Sequence, residues 1–352
     1  MTEAYAMVFE PILKEKVWGG RRLSRYGKAL PVEARVGESW EIADLASTSA
    51  SGGGGGAAVS VIANGALRGR PIGDAIGAWG ADLLGERGLA RGREVGEQTG
   101  AGRVVFPLLI KYLDAGEHLS VQVHPSPDYA RAHEGAHLKT ESWFVVEAEE
   151  TALPDGARVE PSVFVGLNEG VDEAAFRAHI ADGTVARDLR ALAALAGDCH
   201  TLPSGTVHAL GGGVLVAEVQ TPSDTTFRVY DWQREYGRPD RALHIDEAVA
   251  CIDFGSAGRG DGAPVVRAGQ GGRAAWTAYY TIDAVHGACD LGAMVEAGAF
   301  AVVMVTRGEG EIVGAGEAVP VAAGTTALVP AACVPGARLV GGDALLSLVI
   351  TP

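Results

Sequence analysis

Leu119-Ser120-Val121-Gln122-Val123-His124-Pro125 is the stretch that decides how this chain is read. It describes a short strand, and in a strand residues i and i+2 point to the same face. Gln122 and His124 can therefore aim one carbonyl oxygen and one ring nitrogen at a single point. Farther on come Glu141 and then His208, the latter in Pro203-Ser204-Gly205-Thr206-Val207-His208. A carboxylate and a second imidazole complete a mixed set of N and O donors suited to Zn²⁺, with room for solvent or substrate. Taken singly, a strand glutamine is usually solvated and a lone histidine usually a structural hydrogen-bonding group. The ordered combination points to a metal site of open, catalytic type. Such donors would also accept Co²⁺, Mn²⁺ or Fe²⁺.

The spacing carries a second message. Five residues separate Gly116 from Gln122, and five separate Gly197 from Pro203-x-Gly205-x-x-His208. This pattern resembles the two halves of the cupin signature, with two departures: Gln122 replaces the usual first histidine, and the carboxylate comes late. Class I mannose-6-phosphate isomerases make the same departures, and the chain resembles that family in its compact bacterial form. The matching stretches are Pro107 to Lys111, Leu119 to Pro125, Lys139 to Trp143, Pro203 to Ala209, Glu218 to Gln220, Ser223 to Trp232 and Leu243 to Ile245. Trp18-Gly19-Gly20 and Gly37 to Glu41 also look like the family.

The resemblance implies a mainly β fold of two cupin-like jelly-roll barrels or sandwiches with a few inserted helices. It implies interconversion of D-mannose 6-phosphate and D-fructose 6-phosphate through a metal-stabilised cis-enediol. One Zn²⁺ per chain would be held by Gln122, His124, Glu141 and His208. Arg228, four residues after Asp224, matches the family's catalytic arginine, and Asp224 an aspartate of ring opening. Ser120 shares a strand face with Gln122 and resembles a serine of phosphate recognition. Lys139, two residues from Glu141, would face the same cavity and serve proton transfer or bind substrate oxygens. Lys111 lies inside an apolar run, where an unpaired ammonium is costly to bury; it is expected to face a polar pocket and to help seat the phosphate. Two alternatives remain at this point: an isomerase for another aldose, phosphorylated or free, and a sugar-binding regulatory cupin with little turnover. The proton-transfer set Arg228, Lys139 and Asp224 argues against the second.

Composition bounds the rest. The chain has 352 residues, 47% hydrophobic and 21% charged, which is enough for one large core or two ordinary ones. A formal net charge of −15 disfavours nucleic acid and anionic membranes as partners. A few local cations can still make a cleft receptive to a sugar phosphate. Cys199, Cys251, Cys289 and Cys333 are scattered, without the spacing of a disulfide framework. No apolar run approaches the roughly 20 residues of a membrane span. Glu3 and the absence of a basic-then-apolar start predict no signal peptide, so a cytoplasmic location is expected; monomer and homodimer both stay open.

Along the chain, Ser47 to Gly56 reads as a solvated glycine-rich loop, with no phosphate-loop lysine after it. Gly255 to Gly272 reads as a linker, giving a metal-binding domain over 1–254, a linker over 255–272 and a metal-free barrel over 273–352. Asp172 predicts a cap for a helix to about Ala181, a second helix is expected near Val185 to Ala196, and a short one opens at Ile245. Strands are expected at Val104–Ile110, Leu119–Val123, Trp143–Val146 and Val214–Val219, then at Ala274–Ile282, Phe300–Val305, Gly310–Val313, Thr325–Val329 and Leu345–Ile350. The last part contains one histidine, His286, and no second Gln-x-His. His118, His133, His137 and His200 hold no ligand position. The Glu38-Ser39-Trp40-Glu41 stretch is read as packing and positioning, with no assigned chemistry.

Overall fold

Period-two burial organises this molecule. In Leu109–Asp114, Lys111 and Leu113 point one way while Ile110 and Tyr112 point the other. Both faces are covered, which is why such strands read as continuous apolar runs rather than as alternation. The computed structural model describes residues 3–45, 57–256, 265–267 and 271–352. The expected loop over 47–56 lies outside them, as does most of the linker.

The first barrel is built from two antiparallel sheets. A seven-stranded sheet runs, in spatial order, Val265–Arg267, Asp198–Leu202, Glu141–Ala148, Val214–Gln220, Leu109–Asp114, Val36–Ile42 and Ile12–Gly20. A five-stranded sheet runs Leu189–Ala193, Ser162–Leu167, His208–Leu210, Val121–Val123 and Phe227–Tyr230. The second barrel repeats the plan. A six-stranded sheet holds Met7–Val8, Thr326–Val329, Ala301–Arg307, Leu346–Thr351, Thr281–His286 and Gly272–Trp276; a four-stranded one holds Cys289–Asp290, Arg338–Gly341, Glu309–Val313 and Val319–Ala322.

The two barrels pack back to back through their larger sheets. Ile110, Tyr112, Leu215, Ala217 and Val219 meet Ile282, Val302, Met304, Leu348 and Ile350 in one apolar cluster. The opposite faces of the same strands line each barrel's own core. Tyr112 donates its hydroxyl hydrogen to the Val305 carbonyl at 2.8 Å, satisfying a polar group inside that interface. Lys28 likewise bridges Glu41, at 2.7 Å, and the Gly324 carbonyl, at 2.8 Å.

Several elements differ from expectation. Val185 to Ala196 is a 3₁₀ turn, Val185–Asp188, followed by the strand Leu189–Ala193, not a helix. Its helix-forming composition yields to the open edge of Ser162–Leu167, whose backbone groups need a partner. Ala274 to Ile282 is a hairpin of two strands, not one strand. The division at 254 and 273 is crossed twice: Met7–Val8 pairs with Thr326–Val329 in the second barrel, and Val265–Arg267 pairs with Asp198–Leu202 in the first. The helix Glu173–Asp182 forms as expected, with the Asp172 carboxylate accepting the Ala175 N–H at 2.8 Å.

Two helical segments were not anticipated. Ile72–Trp79 and Ala81–Gln98 occupy a stretch rich in glycine and charge. Gly88, Gly92 and Gly96 fall on one buried face and admit the Phe300 ring and the backbone at Val105 and Arg103, while Gly85 is non-helical and kinks the segment near its start. Gly85 is the sharpest case: its φ is 67°, and a Cβ there would stand 1.7 Å from the Gly298 carbonyl oxygen of the second barrel. Gly85→Ala is therefore expected to cost at least about 1–3 kcal/mol in strain and displaced packing. Denaturant unfolding measures it, and wild-type stability in that variant would contradict this account of the junction.

Candidate metal centre and catalytic cleft

Two rows of side chains face each other across the first barrel. On the five-stranded sheet, Gln122 is flanked in register by His208 on one neighbouring strand and by Arg228 on the other. On the seven-stranded sheet, Trp40, Lys111, Glu218 and Trp143 stand abreast on four adjacent strands. Glu141 lies two residues before Trp143, on the same face. Between the rows is a narrow cleft that opens to solvent.

At its floor, His124, Glu141 and His208 converge, all buried, with one potential ligand atom of each within 4.8 Å of the others. His124 Nδ1 lies 2.9 Å from the Thr225 carbonyl and His208 Nδ1 2.8 Å from the Thr206 carbonyl. Each Nδ1 must donate there, so each Nε2 carries its lone pair inward. Those lone pairs point at the Glu141 oxygens, at 3.4 Å from His124 and 3.2 Å from His208. Acceptor faces acceptor, and neither Glu141 oxygen has a hydrogen-bond partner. Burial and Lys139 push the His124 imidazolium down to about 3, so protonation of His124 does not relieve its side of the conflict. Burial opposes the Glu141 charge, but Lys139 and the histidines hold its carboxyl well below the ordinary range. A shared cation resolves such a cluster, and Lys139 supplies part of one, at 2.7 Å from Glu141 Oε2 and 3.1 Å from His124 Nε2. The residues fit a divalent ion. Gln122 adds an amide, with Nε2 3.3 Å from His208 Nε2 and Oε1 accepting from Ser120 at 3.3 Å. A half-turn of that amide brings its oxygen to the donor position.

The sequence folds locally to hold these donors. The Pro203-Ser204-Gly205 turn places the Gly205 N–H on the His124 carbonyl at 3.0 Å, with Gly205 at φ 88°. The segment carrying Lys139 is braced from behind: Thr221 donates to the Leu138 carbonyl and Ser223 to the His137 carbonyl, both at 3.1 Å.

All nine residues singled out from the sequence lie in this region. Lys111, Ser120, Gln122, Lys139, Asp224 and Arg228 line the cleft, and His124, Glu141 and His208 form its floor. Lys111 does face a polar pocket, yet its charge is taken up by carboxylates: Glu218 at 3.0 Å and Glu38 at 3.9 Å. Burial works against that ammonium, and Glu218 and Glu38 more than restore it. Arg228 is the opposite case. Its Nη1 donates to the Ala242 carbonyl at 2.9 Å, its buried Nε has no partner, and burial followed by Arg241 lowers it to about 10.

Sequence reasoning assigned no chemistry to Glu38, Glu218, Lys16, Trp40 or Arg241, all cleft-lining. Glu38 holds Lys16 at 3.0 Å and accepts from Trp40 Nε1 at 2.6 Å, so it positions both. Glu218 accepts from Trp143 Nε1 at 3.0 Å, and burial, with Glu141 nearby, raises its proton affinity. The available signal was electrostatic. Lys111 and Glu218 each interrupt an apolar strand, and opposite charges in two such strands imply each other. Among the other histidines, His118 bonds the Gly212 N–H and the Tyr236 hydroxyl and is structural. The four cysteines are unpaired. Among the described residues no helix is long and apolar enough to cross a membrane.

No family model matches the chain. It is 37% identical over 246 residues to the mannose-6-phosphate isomerase of Streptococcus mutans, a match covering 69% of this chain and 66%, just under two thirds, of that protein. It is 32% identical over 252 residues to the mannose-6-phosphate isomerase ManA of Bacillus subtilis, covering 71% of this chain and 69% of that one. The crystal structure of the Bacillus subtilis mannose 6-phosphate isomerase superposes with a TM-score of 0.74 at 24% identity, over 99% of both chains. That of the Salmonella typhimurium enzyme, bound to fructose 6-phosphate and zinc, superposes with a TM-score of 0.65 at 17% identity, over 98% of this chain and 99% of that one. Ordered motifs, a shared two-barrel fold and identity at this level agree: the chain belongs to the mannose-6-phosphate isomerase family.

Proposed function

We propose that this protein interconverts D-mannose 6-phosphate and D-fructose 6-phosphate, with Zn²⁺ held by Gln122, His124, Glu141 and His208. The observation that carries this reading is the buried Glu141 confronted by two imidazole lone pairs, at the floor of a cleft also lined by Lys139, Glu218, Asp224 and Arg228. Zinc and fructose 6-phosphate are what the Salmonella relative binds. A metal bound there supplies Lewis-acid stabilisation to nearby sugar oxygens.

The chain's own residues do the rest. Asp224 assists opening of the sugar ring. The C2 proton must leave the open aldose and a proton must reach C1, while the oxygens exchange theirs in the opposite sense, so the change is redox-neutral. Glu218, on the cleft wall across from Arg228, is placed for the carbon proton, and its raised proton affinity suits a base that takes and returns it. Lys139, beside the ligands, serves the oxygen-bound proton. Arg228 brings a buried guanidinium with no carboxylate against it, ready for charge that develops on O1 and O2. The protein acts in the cytoplasm as a monomer or homodimer, without nucleic acid or membrane.

A coupled assay on metal-stripped and zinc-reloaded protein tests the whole reading; failure of zinc to restore turnover of mannose 6-phosphate would refute it. Replacing both His124 and His208 by Ala should remove most bound metal, and full zinc content by elemental analysis would defeat the ligand assignment. Arg228→Ala should lower kcat by roughly 10²-fold with metal retained, and Arg228→Lys should recover only part. Glu218→Gln should lower kcat by about 10²- to 10⁴-fold and slow deuterium uptake at C1 and C2 from D₂O in proportion. Normal exchange in that variant would assign the base elsewhere.

A further inference from the structure

Five cations line the cleft, and they are not equivalent. Lys16 and Lys111 share Glu38, at 3.0 and 3.9 Å, and Lys111 also meets Glu218 at 3.0 Å. Lys139 is 2.7 Å from Glu141. Three lysines thus meet three carboxylates, so that wall is close to neutral. A phosphate dianion brought to Lys111 would press against Glu38 and Glu218, and like charges at such range are costly.

The arginine wall differs. Among the described residues no carboxylate lies within the 4.0 Å ion-pair range of Arg228, though Glu38, Glu141 and Glu218 each find a lysine. Asp231 binds Arg241 along one edge of its guanidinium, through Nε and Nη2, and that edge is fully used. Asp231 is itself shared with Arg238 at 3.7 Å, and Arg238 shares Glu117 with Arg35, at 3.0 and 2.6 Å. Four guanidiniums here have two carboxylates between them. The remaining cleft carboxylate, Asp224, acts on His137, while the charges that act on Arg228 are Arg241 and Asp231. Positive charge in excess therefore sits on the side of Arg228 and Arg241. A guanidinium fixed along one edge offers the other as a preorganised pair of donors, the geometry that phosphate oxygens match.

Resting on the isomerase reading above, we infer that Arg241 seats the substrate's phosphate, with Asp231 fixing the orientation of its guanidinium and Ser120 contributing a hydroxyl. Arg228 lies between this seat and the metal donors, abreast of Gln122, and stays with the reacting carbons. Lys111 serves to hold Glu218 and Glu38 in place. This relocates the phosphate from the Lys111 position that the sequence suggested, and keeps Ser120.

The test compares Arg241→Gln, Arg241→Lys and Lys111→Gln as zinc-loaded proteins. Titration calorimetry with inorganic phosphate gives affinity, and the coupled assay gives kcat and KM for mannose 6-phosphate. Arg241→Gln should weaken inorganic phosphate and raise KM by about 10- to 100-fold each, with kcat within about threefold of wild type. Arg241→Lys keeps a charge against Asp231, and so keeps the fold should the glutamine variant fail; it should recover part of the loss. Lys111→Gln should lower kcat while leaving phosphate affinity within about threefold. Wild-type phosphate binding in both Arg241 variants, with loss in Lys111→Gln, would overturn the seat in favour of Lys111. If wild-type protein binds phosphate through Arg241 but does not isomerise mannose 6-phosphate, the seat stands and the isomerase reading falls.

Discussion

Three buried acceptors that need a cation set the terms for the rest of this structure. Glu141 faces His124 and His208 with lone pair against lone pair, because both rings spend their one N–H on backbone carbonyls. An unpaired buried carboxylate is expensive, so every element that presents it must be held against relaxing away. The turn at Gly205 and the braces from Thr221 and Ser223 do that work. The conflict also explains the lysine beside these residues: Lys139 partly neutralises the cluster.

The same constraint extends along the cleft as alternation. Lys16, Glu38, Lys111 and Glu218 form a buried series of opposite charges, with the indole N–H groups of Trp40 and Trp143 donating to the two glutamates. Buried ion pairs are weak sources of stability, since desolvation offsets most of their attraction. Their value here is positional. Each charge is held by neighbours on adjacent strands, so sheet register converts directly into the placement of reactive groups. Arg228 stands outside the series: none of these carboxylates pairs with its guanidinium, whose nearest charges are Arg241 and Asp231.

Much of this was legible in the sequence because strands translate spacing into direction. Gln122 and His124 fall on one face by parity alone, and the Pro-x-Gly turn announces where His208 re-enters. What was hidden depends on partners distant in the chain. Leu189–Ala193 has the composition of a helix and became a strand because an edge lacked a neighbour. Ala81–Gln98 has the glycine content of a loop and became a helix because its glycines admit close backbone approach. Glu38 and Glu218 look like ordinary strand acids until Lys111 is seen between them. Arg241 carries no local signal, since its meaning comes from Asp231 and from the neutrality of the opposite wall.

The pairing of Met7 with Leu328 has a consequence for how the protein is made. Met7–Val8 takes its place in a sheet whose other members all lie at or beyond Gly272, and so are synthesised long after it. Until then its backbone groups have no partner in that sheet, and the apolar outer face of the metal-binding barrel has nothing to cover it. Closing so long a loop is slow, and an exposed sheet face invites association with other chains meanwhile. The nascent protein thus passes through a stage in which the metal donors can already be assembled while the surface behind them is still adhesive.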